Sequence, residues 1–342
     1  MRQRRIWKVV LGVGATVVVA VLALAAYFLN TYQVPPVDPA WAVEGSAEIA
    51  AGAVTVRYTG TATLVFSDGE TTWMTDGWFS RPGPLTLLYG QIEPDLDAIA
   101  RGLERNQVDE LAAVFPVHSH FDHAMDAPEV AKRTGAVLLG SKSTANIGRG
   151  WGLPEKQIRV VTDREPIQLG QFTVTPIESK HFQFSDPAMA ALALGDPEID
   201  APLEPPVGAI DYKLGKAYAV HVAHPKGTWL IQGSAGFIEG GLEEYEADVV
   251  FLGVGALGSQ TDAYRESYWK ETVERTDPRR VIPIHWDSLT GPIEGPFTGP
   301  VRAAAVFTKG SDNTLEFLKD KAAANPNIEF VTLPRYDVVV LF

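Results

Sequence analysis

Four side chains able to ligate a metal fall within six residues at His118-Ser119-His120-Phe121-Asp122-His123. In an extended chain, residues two apart project to the same side, so His118 and His120 can grip one ion together. A turn between this segment and the helix signalled at Pro128 can aim Asp122 and His123 at a second ion. Two ions about 3.5 to 4 Å apart can share a hydroxide, because coordination lowers the pKa of water from 15.7 to about 7. The chemistry on offer is hydrolysis at neutral pH. The competing reading, histidines satisfied in a core or lying on the surface, needs three of the chain's seven histidines to meet an aspartate by chance.

Composition narrows the choice. The chain has 342 residues, 46% hydrophobic and 21% charged, which is a globular composition rather than a disordered one. It has no Cys, so thiolate-held zinc, iron–sulfur clusters and thiol nucleophiles are excluded, and any metal must sit on His and carboxylates. With 29 Lys and Arg against 42 Asp and Glu the net charge is −13. So acidic a body does not suit nucleic acid, whose binding rests on cations that neutralise phosphates.

The elements that must position these ligands are legible as β-runs and helical segments. Val54–Tyr58, Thr63–Phe66 and Thr72–Thr75 read as a β-meander, with a turn at Asp68-Gly69. A helix spans Asp95–Asn106, and the continuous apolar run Leu111–Val117, which delivers His118, reads as a strand covered on both faces. Further strands are expected at Ala136–Leu139, Ile158–Val161, a hairpin over Ile167–Ile177, Tyr218–Val222, Thr228–Gln232, Asp248–Leu252, Arg280–Ile284 and Ile328–Thr332. Helices are expected at Pro128–Arg133, Asp262–Thr276 and Asn313–Ala324. The pattern is α/β, with mixed sheets and helices outside.

Ahead of this body, Val9–Phe28 runs twenty residues without a charge, Asn or Gln, enough to span about 30 Å of hydrocarbon. Arg2, Arg4, Arg5 and Lys8 precede it and no basic residue follows until Arg57, so the positive-inside rule puts the N-terminus in the cytosol and the body outside. A cleaved signal peptide is the alternative, but its apolar core is usually about 7 to 15 residues. The expected organisation is a basic tail at 1–8, an anchor at 9–29, a Pro-rich linker at 30–43 and one catalytic domain at 44–342, facing the periplasm or cell exterior.

The segment HSHFDH has the form HxHxDH, and with it the sequence resembles the metallo-β-lactamase-fold hydrolase superfamily. Further segments match in order: Thr75-Asp76-Gly77, Glu178-Ser179-Lys180-His181 and Val281-Ile282-Pro283-Ile284-His285-Trp286. The last is most similar to the branch containing L-ascorbate-6-phosphate lactonase and the N-acylphosphatidylethanolamine phospholipase D enzymes. The resemblance implies an αββα sandwich of two mixed β-sheets with outer helices. It also implies that His118, His120 and His181 hold a first metal, and Asp122, His123 and His285 a second. Imidazole suits Zn, Fe and Ni, and a carboxylate extends the choice to Mn; zinc is the default for the one or two divalent ions implied.

One departure stands out. The family supplies an Asp that bridges both ions after the third motif, and this chain has Gly233-Ser234-Ala235 there. A neutral hydroxyl is a much weaker ligand. Either one metal binds well, or an anionic substrate meets the excess charge, or another carboxylate substitutes. Asp287, two residues beyond His285, is the best substitute if the chain is extended there, and capping of its own loop is the alternative. Asp76 reads as a carboxylate that orients a ligand histidine. Asp126 reads as the N-cap of the helix at Pro128. His221 and His224 match no motif and read as structural. The long Pro-rich acidic segment Ser185–Gly215 follows His181 as an insertion, with a substrate lid favoured over a plain surface excursion.

The leading expectation is a membrane-anchored metallohydrolase in which a metal-bound hydroxide attacks a phosphodiester, phospholipid or lactone. In it Asp122 is the catalytic carboxylate, orienting the nucleophile or moving its proton. The partners are a small-molecule or lipid substrate and the membrane. The alternative is a non-catalytic or single-metal envelope binding protein on the same fold.

Overall fold

The computed structural model describes residues 2–184, 187–195, 197–307 and 311–342. Ser185, Asp186 and Asp196 of the expected insertion lie outside the described residues. Six strands form most of the first sheet: β1 (Thr55–Gly60), β2 (Thr63–Ser67), β3 (Thr72–Thr75), β4 (Ala113–Phe115), β5 (Val137–Gly140) and β6 (Ile158–Val160). The second sheet takes β7 (Ile167–Leu169), β8 (Phe172–Ser179), β9 (Ala217–His224), β10 (Gly227–Gln232), β11 (Val249–Gly253), β12 (Arg280–Ile284) and β13 (Glu329–Phe330). A last strand, β14 (Val339–Val340), returns to β1, giving two seven-stranded sheets ordered β14-β1-β2-β3-β4-β5-β6 and β13-β12-β11-β10-β9-β8-β7. Both are mixed: β1, β2 and β3 run antiparallel and β3 to β6 parallel in the first sheet, while β7 to β10 run antiparallel and β10 to β13 parallel in the second.

The main core lies between the sheets. Phe66 stacks on Trp73 at 4.9 Å between ring centroids and meets Trp229 at 5.3 Å and Phe251 at 5.4 Å, so rings from both sheets interdigitate. Side chains alternate along a strand, so Trp73 faces this core while Met74 faces outward. There Met74, Val114 and Leu138 bury Ile99 and Leu103 of one outer helix and Val130 of another. The far face of the second sheet is covered by Tyr268, Trp269, Phe317 and Leu318.

The N-terminal helix α1 (Arg2–Asn30) contains a 25-residue apolar stretch, Ile6–Asn30, of mean hydropathy 2.7. It is long and apolar enough to cross a bilayer, a property that signal sequences share. The segment expected to be a linker is not a free tether. Gln33 N donates to Pro300 O at 2.9 Å and Arg302 N to Thr31 O at 2.8 Å. Further along, Trp41 packs on Phe330 at 5.0 Å and Thr332 N donates to Trp41 O at 2.8 Å. The docking has a simple cause: two distant stretches of chain, 299–302 and 330–332, present backbone groups with which residues 31–43 pair.

The remaining helices are α2 (Pro84–Tyr89), α3 (Leu96–Arg105), α4 (Phe121–Ala124), α5 (Ala127–Thr134), α6 (Lys142–Gly150), α7 (Pro187–Leu194), α8 (Asp262–Trp269), α9 (Arg302–Phe307) and α10 (Ser311–Ala324). Asp95 caps α3 by accepting from Asp97 N at 3.0 Å and Ala98 N at 2.9 Å. The amphipathic face of α3, together with that of α5, covers the outer side of the first sheet.

Candidate metal centre

Strand direction brings the ligands to one edge. β9 is antiparallel to both β8 and β10, and β10, β11 and β12 are parallel, so β8, β10 and β12 all point the same way. His181, Ser234 and His285 follow the C-terminal ends of those three strands. In the other sheet β3 and β4 are parallel, so Asp76 and the His118–His123 segment leave at neighbouring ends. His120 is extended (φ −60°, ψ 156°) and its carbonyl accepts from His123 N at 3.0 Å and Ala124 N at 2.9 Å, which starts α4. Asp122 and His123 therefore enter from the first turn of a helix, while His118 and His120 enter from extended chain.

Two donor groups result: His118 with His120 and His181, and Asp122 with His123 and His285, each with its ligand atoms within 4.8 Å of one another. In the first group the ring centroids lie 4.8, 5.0 and 4.8 Å apart and the rings meet at 81°, 80° and 78°, three mutually steep planes around one point. In the second, His123 Nε2 lies 3.1 Å from His285 Nε2 and 3.5 Å from Asp122 Oδ2, and His285 Nε2 lies 3.3 Å from Asp122 Oδ2. A tetrahedral ion with bonds of about 2.0 to 2.1 Å needs ligand atoms about 3.3 Å apart, so this trio has the spacing of one face of such a site. The groups are joined where the rings of His118 and His123 approach to 3.8 Å.

Each of three histidines gives one ring nitrogen to a protein oxygen and so frees the other. His123 Nδ1 meets Asp76 Oδ2 at 2.7 Å, His181 Nδ1 meets Phe182 O at 2.9 Å and His120 Nε2 meets Ala193 O at 3.4 Å. Asp76 is itself held, accepting from Val117 N at 2.9 Å through its other oxygen. Carboxylate or carbonyl partners of this kind fix the tautomer of a metal-ligating imidazole. His118 is the exception: both its nitrogens are buried and neither has a hydrogen-bond partner. Buried polar nitrogens without partners are costly, and an ion is what would satisfy them.

The electrostatics suit cation binding. Burial, reinforced by neighbouring histidines, pushes His118 and His181 well below the usual imidazole value, and burial brings His120 down to about 4, so these rings are neutral at physiological pH. Burial opposes charge on Asp122, but His123 and His285 beside it hold its carboxyl far below the usual range. Burial likewise opposes charge on His123; the carboxylates of Asp76 and Asp122 outweigh it and raise its pKa. Neutral imidazoles, one firmly ionised carboxylate and the orphaned nitrogens of His118 together fit one or two divalent ions held by N and O donors.

The other candidates are placed as follows. Ser234 Oγ accepts from Phe182 N at 3.2 Å, so its hydroxyl braces the chain just past His181. Asp287 does not substitute for the missing bridge. His285 adopts φ +59°, which ends the extended geometry that would have turned Asp287 toward the ligands. Asp287 instead accepts from Thr61 N at 2.5 Å and pairs with Arg81 at 3.3 Å, both side chains buried. Asp126 precedes α5 but does not cap it; its carboxylate accepts from Phe79 N, Ser80 N and Ser80 Oγ at 2.6–2.7 Å, fastening the loop after Asp76. His221 bonds Glu246 O and His224 lies 3.5 Å from Asp68, both away from the ligands.

Sequence reasoning missed several positioning groups. Ser119 faces away from its histidine neighbours and bonds Ser141 at 3.1 Å and Thr144 at 2.9 Å; the spacing Ser141-x-x-Thr144 at a helix start was the available signal. Gly236 must be glycine because a Cβ would collide with the backbone of Lys180 and His181, and a Cβ on Gly255 would stand 2.7 Å from His285 Nδ1. Ala193 and Phe182 act through backbone carbonyls, for which no sequence signal exists.

Two facing mixed sheets, outer helices and ligands gathered at one edge define the metallo-β-lactamase fold. Among solved structures, the chain is similar to Igni18, a metallo hydrolase from the archaeon Ignicoccus hospitalis, at 15% identity and TM-score 0.50, covering 84% of this chain and 98% of that one. A metal-dependent hydrolase from Veillonella parvula, described as possible, gives 14% identity and TM-score 0.48 over 85% and 100% of the chains. The metallo-β-lactamase fold protein YhfI from Bacillus subtilis gives 14% and 0.44 over 84% and 99%. No family model and no curated protein matches the sequence. At such identity the likeness carries the fold, and the reaction must be argued from the site.

Proposed function

We propose that this chain is a metal-dependent hydrolase that cleaves an ester-type bond, in a phosphodiester, phospholipid or lactone, at the outer face of a membrane. The observation that carries this reading is the convergence of six candidate ligands from three separate stretches of chain into two adjoining groups. His118, His120 and His181 would hold one ion, and Asp122, His123 and His285 the other, with zinc the first candidate. When bound, such ions supply a water acidic enough to ionise near neutrality and positive charge to stabilise negative charge developing on the substrate. Asp122 is ionised and buried, so it can accept a hydrogen bond from the attacking water and orient it. Asp76 keeps the proton of His123 on Nδ1 and thereby keeps Nε2 free as a ligand.

An apolar substrate is supported by the rim. The outward side chains Met189 and Leu192 of α7 are exposed, and α7 reaches the site through Ala193 O. With a membrane helix on the same chain, such a rim favours a lipid or lipid-like ester. The charge rule on the flanks of that helix favours an outward-facing body.

A single-metal or non-catalytic binding role on the same fold has one observation in its favour, the neutral Ser234 in place of a bridging carboxylate. Metal analysis of the full-length protein in uncharged detergent, with turnover of bis(p-nitrophenyl) phosphate, a lactone panel and a chromogenic cephalosporin, separates the readings. We expect one to two equivalents of metal, ester turnover, and loss of both in His118→Ala. Metal-loaded protein inert toward every ester would leave the binding role.

A further inference from the structure

Beyond the metal-facing edge, the chain near its end runs alongside β1: Tyr336 N donates to Tyr58 O at 2.9 Å and Arg57 Nη1 to Tyr336 O at 2.7 Å. Between this segment, the end of α3 and the loop that follows His285 lies a surface cleft of about 360 Å³. Arg57, Arg105, Gln107, Glu294, Arg335 and Tyr336 are among the residues that line it.

Its charge pattern is unusual for this chain. Acids exceed bases by 13, so an arginine has many carboxylates available. Yet among the described residues none of Arg57, Arg105 and Arg335 forms an ion pair within 4.0 Å. Of the two acids at the cleft, Glu294 is taken by Arg101 at 3.7 Å, and Asp337 acts on Arg57 only from beyond ion-pair distance. Two of the three guanidiniums are nevertheless held in place, while Arg105 is exposed at the end of α3. Arg57 is fixed by Tyr336 O and by Gln107 Oε1, each at 2.7 Å; Arg335 is fixed by Pro292 O at 2.7 Å and lies over the Phe297 ring at 4.0 Å.

Donors are left over as well. Arg335 Nε and the Tyr336 hydroxyl are shielded from solvent and have no hydrogen-bond partner. Tyr336 and Gln107 both adopt left-handed backbone, φ +66° and +55°, a conformation that costs a bulky side chain on the order of 1 kcal/mol or more. Unpaired cations, two of them preset, and strained backbone thus coincide on one cleft, with unsatisfied donors of Arg335 and Tyr336 buried just behind it.

We propose that this cleft is a binding site for a phosphate group, separate from the metal centre. A tetrahedral oxyanion presents several acceptor oxygens and up to two negative charges, and so matches guanidiniums arriving from three segments better than a planar carboxylate, which one guanidinium fork saturates. The group can come from free phosphate or from the headgroup of an anionic lipid.

The test is arginine modification by phenylglyoxal, mapped by peptide mass spectrometry, on the full-length protein reconstituted into phosphatidylcholine vesicles. We expect inorganic phosphate, against chloride at equal ionic strength, to slow modification of Arg105 by a factor of 1 + [phosphate]/Kd. The surface residue Arg159, paired with Glu165, should be unaffected. Protection of Arg105 should vanish in Arg57→Gln, and Arg335→Gln gives a second variant should the first fail to fold. If only vesicles containing phosphatidylglycerol protect Arg105, the ligand is a lipid headgroup; if free phosphate suffices, it is soluble. Equal reactivity of Arg105 under all conditions, or protection that persists in both variants, overturns the proposal. None of these readouts depends on the metal centre or on turnover.

Discussion

Asp76→Asn is a test of how the second ligand group is built. The substitution is nearly isosteric, and Asn tolerates the left-handed backbone of residue 76, φ +56°, about as well as Asp does. The amide oxygen can keep the 2.9 Å bond from Val117 N. What changes lies 2.7 Å from His123 Nδ1, where an N–H donor replaces an acceptor. His123 must then carry its proton on Nε2, the atom that faces Asp122 and His285, and a protonated nitrogen cannot ligate. Loss of such an orienting partner typically weakens metal binding about 10- to 100-fold. That corresponds to about 1.4 to 2.8 kcal/mol. The assay is competition with a chromophoric chelator, which resolves strong from weak equivalents, beside ¹⁵N chemical shifts of the His123 ring that report its tautomer. We expect the equivalent held by Asp122, His123 and His285 to weaken by that factor while the other is spared, with the ring shifted to the Nε2–H form. Affinity within twofold of the parent protein, with the Nδ1–H tautomer retained, would refute the reasoning.

Two further predictions follow from neighbouring carboxylates. Burial raises Asp126 from 3.8 to about 6 against the opposing pull of Ser80 and Phe79, so the folded state holds its proton more tightly than the unfolded one. The stability this contributes is complete below about pH 4 and is lost as pH rises through about 6, up to about 3 kcal/mol; Asp126→Asn should remove that dependence, and urea unfolding that differs from the parent by the same amount at both pH values would contradict it. Ser234→Asp should raise metal stoichiometry toward two by returning a negative charge to the turn after β10, measured by metal analysis after dialysis; an unchanged stoichiometry would mean that this turn does not face the ions.

Much of the scaffold could be read from periodicity and turns, because its strands are apolar runs bounded by recognisable breakers. β3 matches its expected limits, and α3 lies inside its predicted span, with Asp95 and Asn106 as its two caps. The strand before His118 is shorter than expected, Ala113–Phe115, since Val117 gives its N–H to Asp76 rather than to a neighbouring strand. α6 escaped notice because Lys142–Gly150 carries polar and glycine residues where an apolar stripe would mark a helix. The ligand segments were visible as motifs, whereas the fate of Asp287 was not. A single left-handed residue at His285 reverses the side on which everything after it projects, and nothing in the letters Ile-His-Trp-Asp announces that. The docking of residues 31–43 was equally hidden, because its partners lie more than 250 residues away in sequence.

That docking has a mechanical consequence. The neck below α1 is stitched to Pro300–Arg302, and the loop running back from there ends at His285. An embedded helix adjusts its tilt to the thickness of its bilayer. Were α1 embedded as proposed above, a change in its tilt would pull through these hydrogen bonds on the loop that begins at His285.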